Sequence, residues 1–272
     1  LALAGRDLHG AAIEHDAVAA WVQDDLPVDA AGRVTVADPA RSVLQLANSE
    51  TGVVQDLPEG LELSDLTQAF GKLPLAFNWA GCRMALVSAH KLGGPKGVGA
   101  LVMRRGTDIA AQMRGGGQEM GRRAGTENIA AIAGFGAAAE AAARELADGV
   151  CTRVEQTRNI LEQAIAAEES RTIFVGKGVR RLPNTTCIAT PGWKGETQVM
   201  QMDLAGFAVS AGSACSSGKI RASRVLQAMG YDDRVASGAI RVSLGPETSE
   251  EDVLRFAESW LAKRRKHSAR VA

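Results

Sequence analysis

The chain has 272 residues, 46% of them apolar, and its 31 basic side chains balance 31 acidic ones, which excludes a disordered polymer and any global field for nucleic acid or anionic membrane. The length suits one large core, or a large and a smaller one, and no apolar stretch reaches the ~20 residues of a membrane span. The four cysteines, Cys82, Cys151, Cys187 and Cys215, form no CxxC pair and no zinc-spaced cluster, so no disulfide framework or metal site is expected, and with no signal-peptide pattern the expected compartment is the cytoplasm.

Leu1-Ala2-Leu3-Ala4-Gly5 reads as a chain entered in mid-helix, and N-terminal material is expected to be missing. Glu14 to Val22 mixes apolar and charged positions in helical fashion. Ser42 to Leu46 is a short strand running into turn chemistry, Ala47-Asn48-Ser49-Glu50-Thr51-Gly52. Met84 to Val87 is a second strand, followed by polar Ser88 and His90, the glycine-rich turn Gly93-Gly94-Pro95-Lys96-Gly97, and a third strand from Val98 to Met103. Strands that end in polar and glycine-rich loops predict an α/β domain with its site at the carboxyl ends of the strands.

Gly115 to Asn128 is a loop, and helices are expected over Ile129–Leu146 and Arg153–Ala167. From Thr172 the texture changes to shorter α and β pieces, giving a large domain over residues 1–148 and a small α+β domain over 149–272. Thr248-Ser249-Glu250-Glu251 reads as a capping box opening a final helix to Lys263, its end closed by the basic run Lys263-Arg264-Arg265-Lys266-His267.

Lys91, in Ser88-Ala89-His90-Lys91, is the residue around which chemistry gathers. In extended backbone Ser88 and His90 project to one side. A hydroxyl, an imidazole and glycine N–H groups together suit a phosphate, and a neutral lysine amine can form an imine. An isolated lysine after a strand is more often a surface residue, and as a P-loop the stretch fails for want of Gly-Lys-Ser/Thr.

The run Ser88-Ala89-His90-Lys91-Leu92-Gly93-Gly94-Pro95-Lys96-Gly97-Val98-Gly99-Ala100-Leu101 resembles the lysine signature of the class V aminotransferase family, in its cysteine desulfurase branch. Three further blocks are similar to that branch in the same order: Gly115 to Asn128, ending Gly-Thr-Glu-Asn; Val209-Ser210-Ala211-Gly212-Ser213-Ala214-Cys215-Ser216-Ser217-Gly218; and Ala239-Ile240-Arg241-Val242-Ser243-Leu244-Gly245. The resemblance implies the type I fold of pyridoxal-phosphate (PLP) enzymes, a large domain with a mainly parallel sheet plus a smaller C-terminal domain. It further implies conversion of L-cysteine to L-alanine, a homodimer, and a sulfur-acceptor protein as partner.

Residue by residue, the resemblance makes Lys91 the carrier of PLP as a Schiff base and the base that moves the α-proton. Asp65 holds the proton on the ring nitrogen, Gln68 bonds the ring hydroxyl, and His15 stacks on the ring. Ser88, His90 and Thr126 hold the phosphate, Thr126 from the neighbouring subunit. Arg241 binds the substrate carboxylate bidentately, with support from Asn184. Cys215, set among small residues rather than in an apolar core, is the nucleophile that takes the sulfur as a persulfide. It precedes Arg241 by 26 positions, which resembles the subgroup typified by nitrogen-fixation and iron–sulfur assembly desulfurases.

Two stretches depart from the pattern. Ser49 stands where the family has its second Asn, at the ring hydroxyl, and the segment from Gln55 to Asp65 is shorter. Taken without the resemblance, Asp65 is equally a helix cap, and His15, Thr126 and Arg241 are ordinary structural residues. Two other readings remain open on the residues: another class V enzyme, a transaminase or selenocysteine lyase, in which Cys215 is idle, or a non-catalytic scaffold.

Overall fold

The computed structural model describes residues 3, 5–212 and 222–271, which form two units. Unit 1 is Leu1–Pro27, Thr35–Ala47 and Gln55–Asp148; unit 2 is Gly149–Ala272 together with Val28–Val34 and Asn48–Val54.

Unit 1 carries, in chain order, β1 (His9–Ala11), α1 (Asp16–Ala19), β2 (Gln23–Leu26), β3 (Val43–Gln45), β4 (Leu61–Asp65), β5 (Cys82–Ser88), β6 (Gly99–Met103) and α2 (Ile129–Ala147). Strands β1 and β2 pair in parallel. The main sheet has the order β3-β4-β5-β6, with β3, β4 and β5 parallel and β6 antiparallel to β5. Buried Val43, Leu63 and Met84 on the parallel strands pack with Leu3, Leu8 and Val18. The polar residues of β4 are buried but satisfied: Ser64 Oγ donates to the Leu44 carbonyl at 2.8 Å, and Glu62 pairs with Arg6 and Arg83.

Two expectations need correction here. The helix expected over 14–22 shrinks to the single turn of α1, because Gln23 N donates to Leu8 O at 2.8 Å and the chain is drawn into β2. The third strand begins at Gly99, one residue later than expected. It runs antiparallel to β5, a direction the sequence reading did not address, since Ser88 and Gly99 are joined by a short glycine turn, whereas a parallel return needs a crossover of a dozen or more residues. Helix α2 then packs on that turn: a Cβ on Gly134 would meet Pro95 Cγ at 2.7 Å.

Unit 2 carries α3 (Val150–Glu168), β7 (Ile173–Phe174), β8 (Thr185–Ala189), α4 (Gly195–Asp203), β9 (Ser210–Ala211), α5 (Arg224–Ala228), α6 (Asp233–Ala236), β10 (Ala239–Ser243) and α7 (Glu250–Val271). The sheet is antiparallel throughout, in the order β7-β8-β10-β9. Helices α3, α4 and α7 supply Leu161, Ile165, Met202, Phe256 and Trp260 to a core closed by Ile188, Ile240 and Trp193. Fully buried Gln198 lies within it, its Nε2 donating to the carbonyls of Trp193 (2.8 Å) and Gly238 (2.9 Å) while its Oε1 accepts from Trp260 Nε1 (3.0 Å). A buried amide is tolerated there because all three of these bonds are made.

The last helix also departs from expectation at both ends. Its capping box lies one residue on, at Ser249 and Asp252: Ser249 Oγ accepts from Asp252 N at 3.1 Å, and Asp252 Oδ2 accepts from Ser249 N at 3.0 Å. The basic run does not close the helix but lies inside it, because acidic residues at the end of α3 receive its side chains. Buried Arg264 bonds Glu169 and Arg265 bonds Glu168, while the His267 ring stacks on Trp193. No helix among the described residues is long and apolar enough to cross a membrane, and no metal-ligating cluster occurs among them.

Candidate active site

In unit 1 the residues singled out for chemistry converge on the carboxyl edge of the parallel strands. Asp65 ends β4, in register with Gln45 of β3 on one side and Leu86 of β5 on the other. Ser88 ends β5. Gln45 in turn holds the segment before α1: its amide N–H donates to Glu14 Oε1 at 3.0 Å and its Nε2 to the Ile13 carbonyl at 2.6 Å. His15 follows directly. The strand ends therefore bring His15, Asp65, Ser88, His90 and Lys91 to one edge.

Local geometry defines each of them. His15 caps α1, its Nδ1 accepting from Ala17 N at 3.1 Å, so in the neutral ring the proton sits on Nε2. Asp65 Oδ1 accepts from Thr67 N at 2.9 Å and shapes the turn that carries half-buried Gln68. Ser88 and His90 do lie together, with Oγ 2.8 Å from Nδ1, but by way of a short 3-10 turn over Ala89–Lys91 rather than by strand alternation. His90 is held below the ordinary imidazole value by local desolvation and by the charges of Lys91 and Lys96. Lys91 is half-buried, and no carboxylate among the described residues lies within ion-pair distance of it. Thr126 is exposed and makes no hydrogen bond to the Ser88–His90 pair.

Unit 2 places Arg241 in the middle of β10, opposite Cys187 of β8 and Ser210 of β9. Among the described residues its guanidinium is held by neutral oxygens: Nη1 donates to the Ser49 carbonyl (3.0 Å), Nη2 to Ser210 Oγ (3.2 Å) and Nε to Ser243 Oγ (3.1 Å). Ser49 thus contributes its backbone. Asn184 turns its amide to the Leu244 carbonyl at 3.4 Å and accepts from Thr185 Oγ1, so it makes no hydrogen bond to Arg241. Cys215 lies outside the described residues. Of the other thiols, Cys187 and Cys82 are pushed up by burial, Cys187 further by the Glu50 carboxylate, which keeps both as inert SH groups.

The sequence reasoning did not single out Asn48, whose Oδ1 accepts from the backbone N–H of Glu50 and of Thr51 (both 2.9 Å) and from Thr51 Oγ1 (3.1 Å). That Asx turn aims the Ser49 carbonyl at Arg241. An Asn followed three residues on by Thr-Gly was the available signal.

Residues 34–256 match the family model for aminotransferase class V, and the chain belongs to that family. Its fold is the type I fold of PLP enzymes: a NifS-like protein from Rickettsia africae superposes with a TM-score of 0.82 at 29% identity, over 94% of this chain and 75% of that one. The cysteine desulfurase of Gluconacetobacter diazotrophicus is 38% identical over 94% of this chain, and the cysteine desulfurase NifS of Azotobacter vinelandii 38% identical over 85%. This chain spans 70% and 61% of the lengths of those two relatives.

The family is PLP-dependent, and unit 1 fits such a group. A half-buried amine with no carboxylate counter-ion among the described residues follows directly on a paired hydroxyl and imidazole. Gly93 and Gly97 follow, at φ +89° and +79° with nothing within 4 Å of a built Cβ, leaving the backbone open to close approach.

Proposed function

We propose that this chain acts as a cysteine desulfurase, taking sulfur from L-cysteine onto Cys215. The sulfur of free cysteine passes to the Cys215 thiol, giving L-alanine and a Cys215 persulfide, so the Cβ–S bond breaks and an S–S bond forms without an external oxidant. When bound, PLP supplies the electron sink that makes the substrate's Cα–H acidic. Lys91 Nζ bonds the cofactor and then moves the proton at the substrate Cα. Asp65 holds the proton on the ring nitrogen, Gln68 and Ser49 face the ring hydroxyl, and His15 packs on the ring. Ser88 and His90 bind the phosphate, joined by Thr126 of a second copy in a homodimer, a role that its exposure leaves open. Arg241, with support from Asn184, takes the substrate carboxylate. The persulfide goes on to an acceptor protein in iron–sulfur cluster or other thio-cofactor assembly, in the cytoplasm.

The observation that carries the reading is Lys91, a half-buried amine with no carboxylate among the described residues within ion-pair distance, one position past the Ser88–His90 pair. The test is mass spectrometry after exposure to PLP and L-cysteine, looking for a gain of about 32 Da on the Cys215 peptide together with equimolar alanine. Cys215→Ala removes both and leaves the cofactor's visible absorbance in place. Alanine formation that survives the substitution sinks the reading in favour of another class V reaction, and a chain that binds no cofactor is a scaffold.

A further inference from the structure

The turn Asn48–Gly52 does more than aim one carbonyl at Arg241. Glu50 is buried, 8% exposed, and a buried carboxylate persists only where donors reward it. One donor is Ser223 Oγ, at 2.5 Å, itself fully buried. The same hydroxyl accepts from Leu226 N at 3.1 Å and caps α5, so it works in both directions. On the other side is Gly212: a Cβ built there would stand 3.4 Å from Glu50 Oε2 and 3.4 Å from Ser223 Cβ. Gly212 and Ser223 are therefore neighbours across one carboxylate, although residues 213–222 separate them in sequence. Their backbones are tied as well, Gly212 N to Ala239 O (3.0 Å) and Ser223 N to Ala236 O (3.2 Å), on either side of the start of β10.

We infer that Glu50 is a positioning residue for the persulfide step: by bonding Ser223 and lying against Gly212, beside the strand that carries Arg241, it fixes the two residues that flank the Cys215 segment in sequence. This inference rests on the desulfurase reading. The same turn holds Arg241 through the Ser49 carbonyl and, through Glu50, bonds Ser223 on one flank of the cysteine segment while lying against Gly212 on the other. The group that grips the substrate carboxylate and the chain that bears the nucleophile thus share one support, which limits the volume the thiol must search and raises its effective concentration at the substrate sulfur.

Glu50→Ala and, as a second variant, Ser223→Ala test this in the full chain with PLP bound. Native-state hydrogen exchange is expected to quicken about tenfold at the Gly212 and Ser223 amides while those of β8 stay unchanged, as for a local opening. The kcat for alanine formation is expected to fall about tenfold with KM for cysteine within about twofold, and the double variant to lose no more than the worse single one, as for residues acting as a unit. Unchanged exchange at the two amides in an active enzyme overturns the inference and leaves the desulfurase reading standing. Equal quickening across β8 overturns it too, since Glu50 then serves stability alone, and so does an unaltered kcat with opened amides. A parent chain that forms no alanine sinks the desulfurase reading, and the positioning role with it.

Discussion

Arg241 Nη1 donates to the carbonyl oxygen of Ser49 at 3.0 Å, joining two residues 192 positions apart. With Ser210 and Ser243 as the other acceptors, the guanidinium is oriented by neutral oxygens among the described residues, which suits its charge to an incoming carboxylate. Arg241→Ala should cost about 2 kcal/mol or more in substrate binding, a rise in KM of about 30-fold. Arg241→Lys keeps the charge but loses the planar fork and should recover only part of the loss. Steady-state alanine formation against cysteine concentration checks both, and an unchanged KM removes Arg241 from the substrate site.

His90 should titrate below the ordinary 6.5, because local desolvation and then Lys91 and Lys96 disfavour its charged form. Since the folded value lies below the unfolded one, the unfolded chain binds the proton more readily. The contribution of His90 to stability is therefore complete above 6.5 and is lost as pH falls toward the folded value. Proton NMR titration of the cofactor-free chain reads the midpoint, and Lys91→Ala should move it upward.

A second pH effect belongs to Glu162. Burial alone pushes its carboxyl up, but the two bonds from Arg181 (2.8 and 3.1 Å) and the nearby positive charge of Arg158 outweigh burial and hold it below 4.5. Its stabilising contribution is present above 4.5 and is lost as pH falls through the lower folded value. Denaturant unfolding between neutral and acid pH should show that loss, and Glu162→Gln should flatten it. The variant should also be less stable at neutral pH by about 3 kcal/mol or more, because it leaves Arg181 buried without its counter-charge.

Two glycines of α2 offer a contrast in which the sign is the prediction. A Cβ on Gly136 meets nothing within 4 Å, so Gly136→Ala should stabilise by about 1 kcal/mol through helix propensity. At Gly134 the same methyl would sit 2.7 Å from Pro95 Cγ, and the overpacking cost of about 1–3 kcal/mol should exceed the propensity gain. Thermal unfolding of the two variants should move in opposite directions, and Gly134→Ala should regain stability in a Pro95→Ala background.

What could be read from the chain alone was what lies close together along it. Ser88, His90, Lys91 and the following glycines are neighbours in sequence, as are the residues of the three other matching blocks, so the type I fold and the family were legible from those four runs in order. Strand β4 escaped notice because Glu62 and Ser64 look like surface residues until Arg6, Arg83 and the Leu44 carbonyl are seen to meet them. The length of α7 was misjudged for a similar reason: Arg264 and Arg265 read as a solvated helix end, and their partners Glu168 and Glu169 come from a distant helix. Ser49 was read by its side chain alone, and the contact of its carbonyl with Arg241 went unseen because every residue type possesses that group. Non-local pairing of this sort leaves no periodic trace.

The buried amide of Gln198 has a consequence for how the chain tolerates change. Its acceptor meets one indole proton on the terminal helix, and turning or sliding that helix by a single residue, about 100° or 1.5 Å, would carry the proton away and strand the oxygen in a dry interior. Aliphatic side chains around Trp260 can therefore be exchanged for others of similar bulk, but the helix has one permitted phase, keyed by the indole proton on its apolar face and by Arg264 and Arg265 farther along.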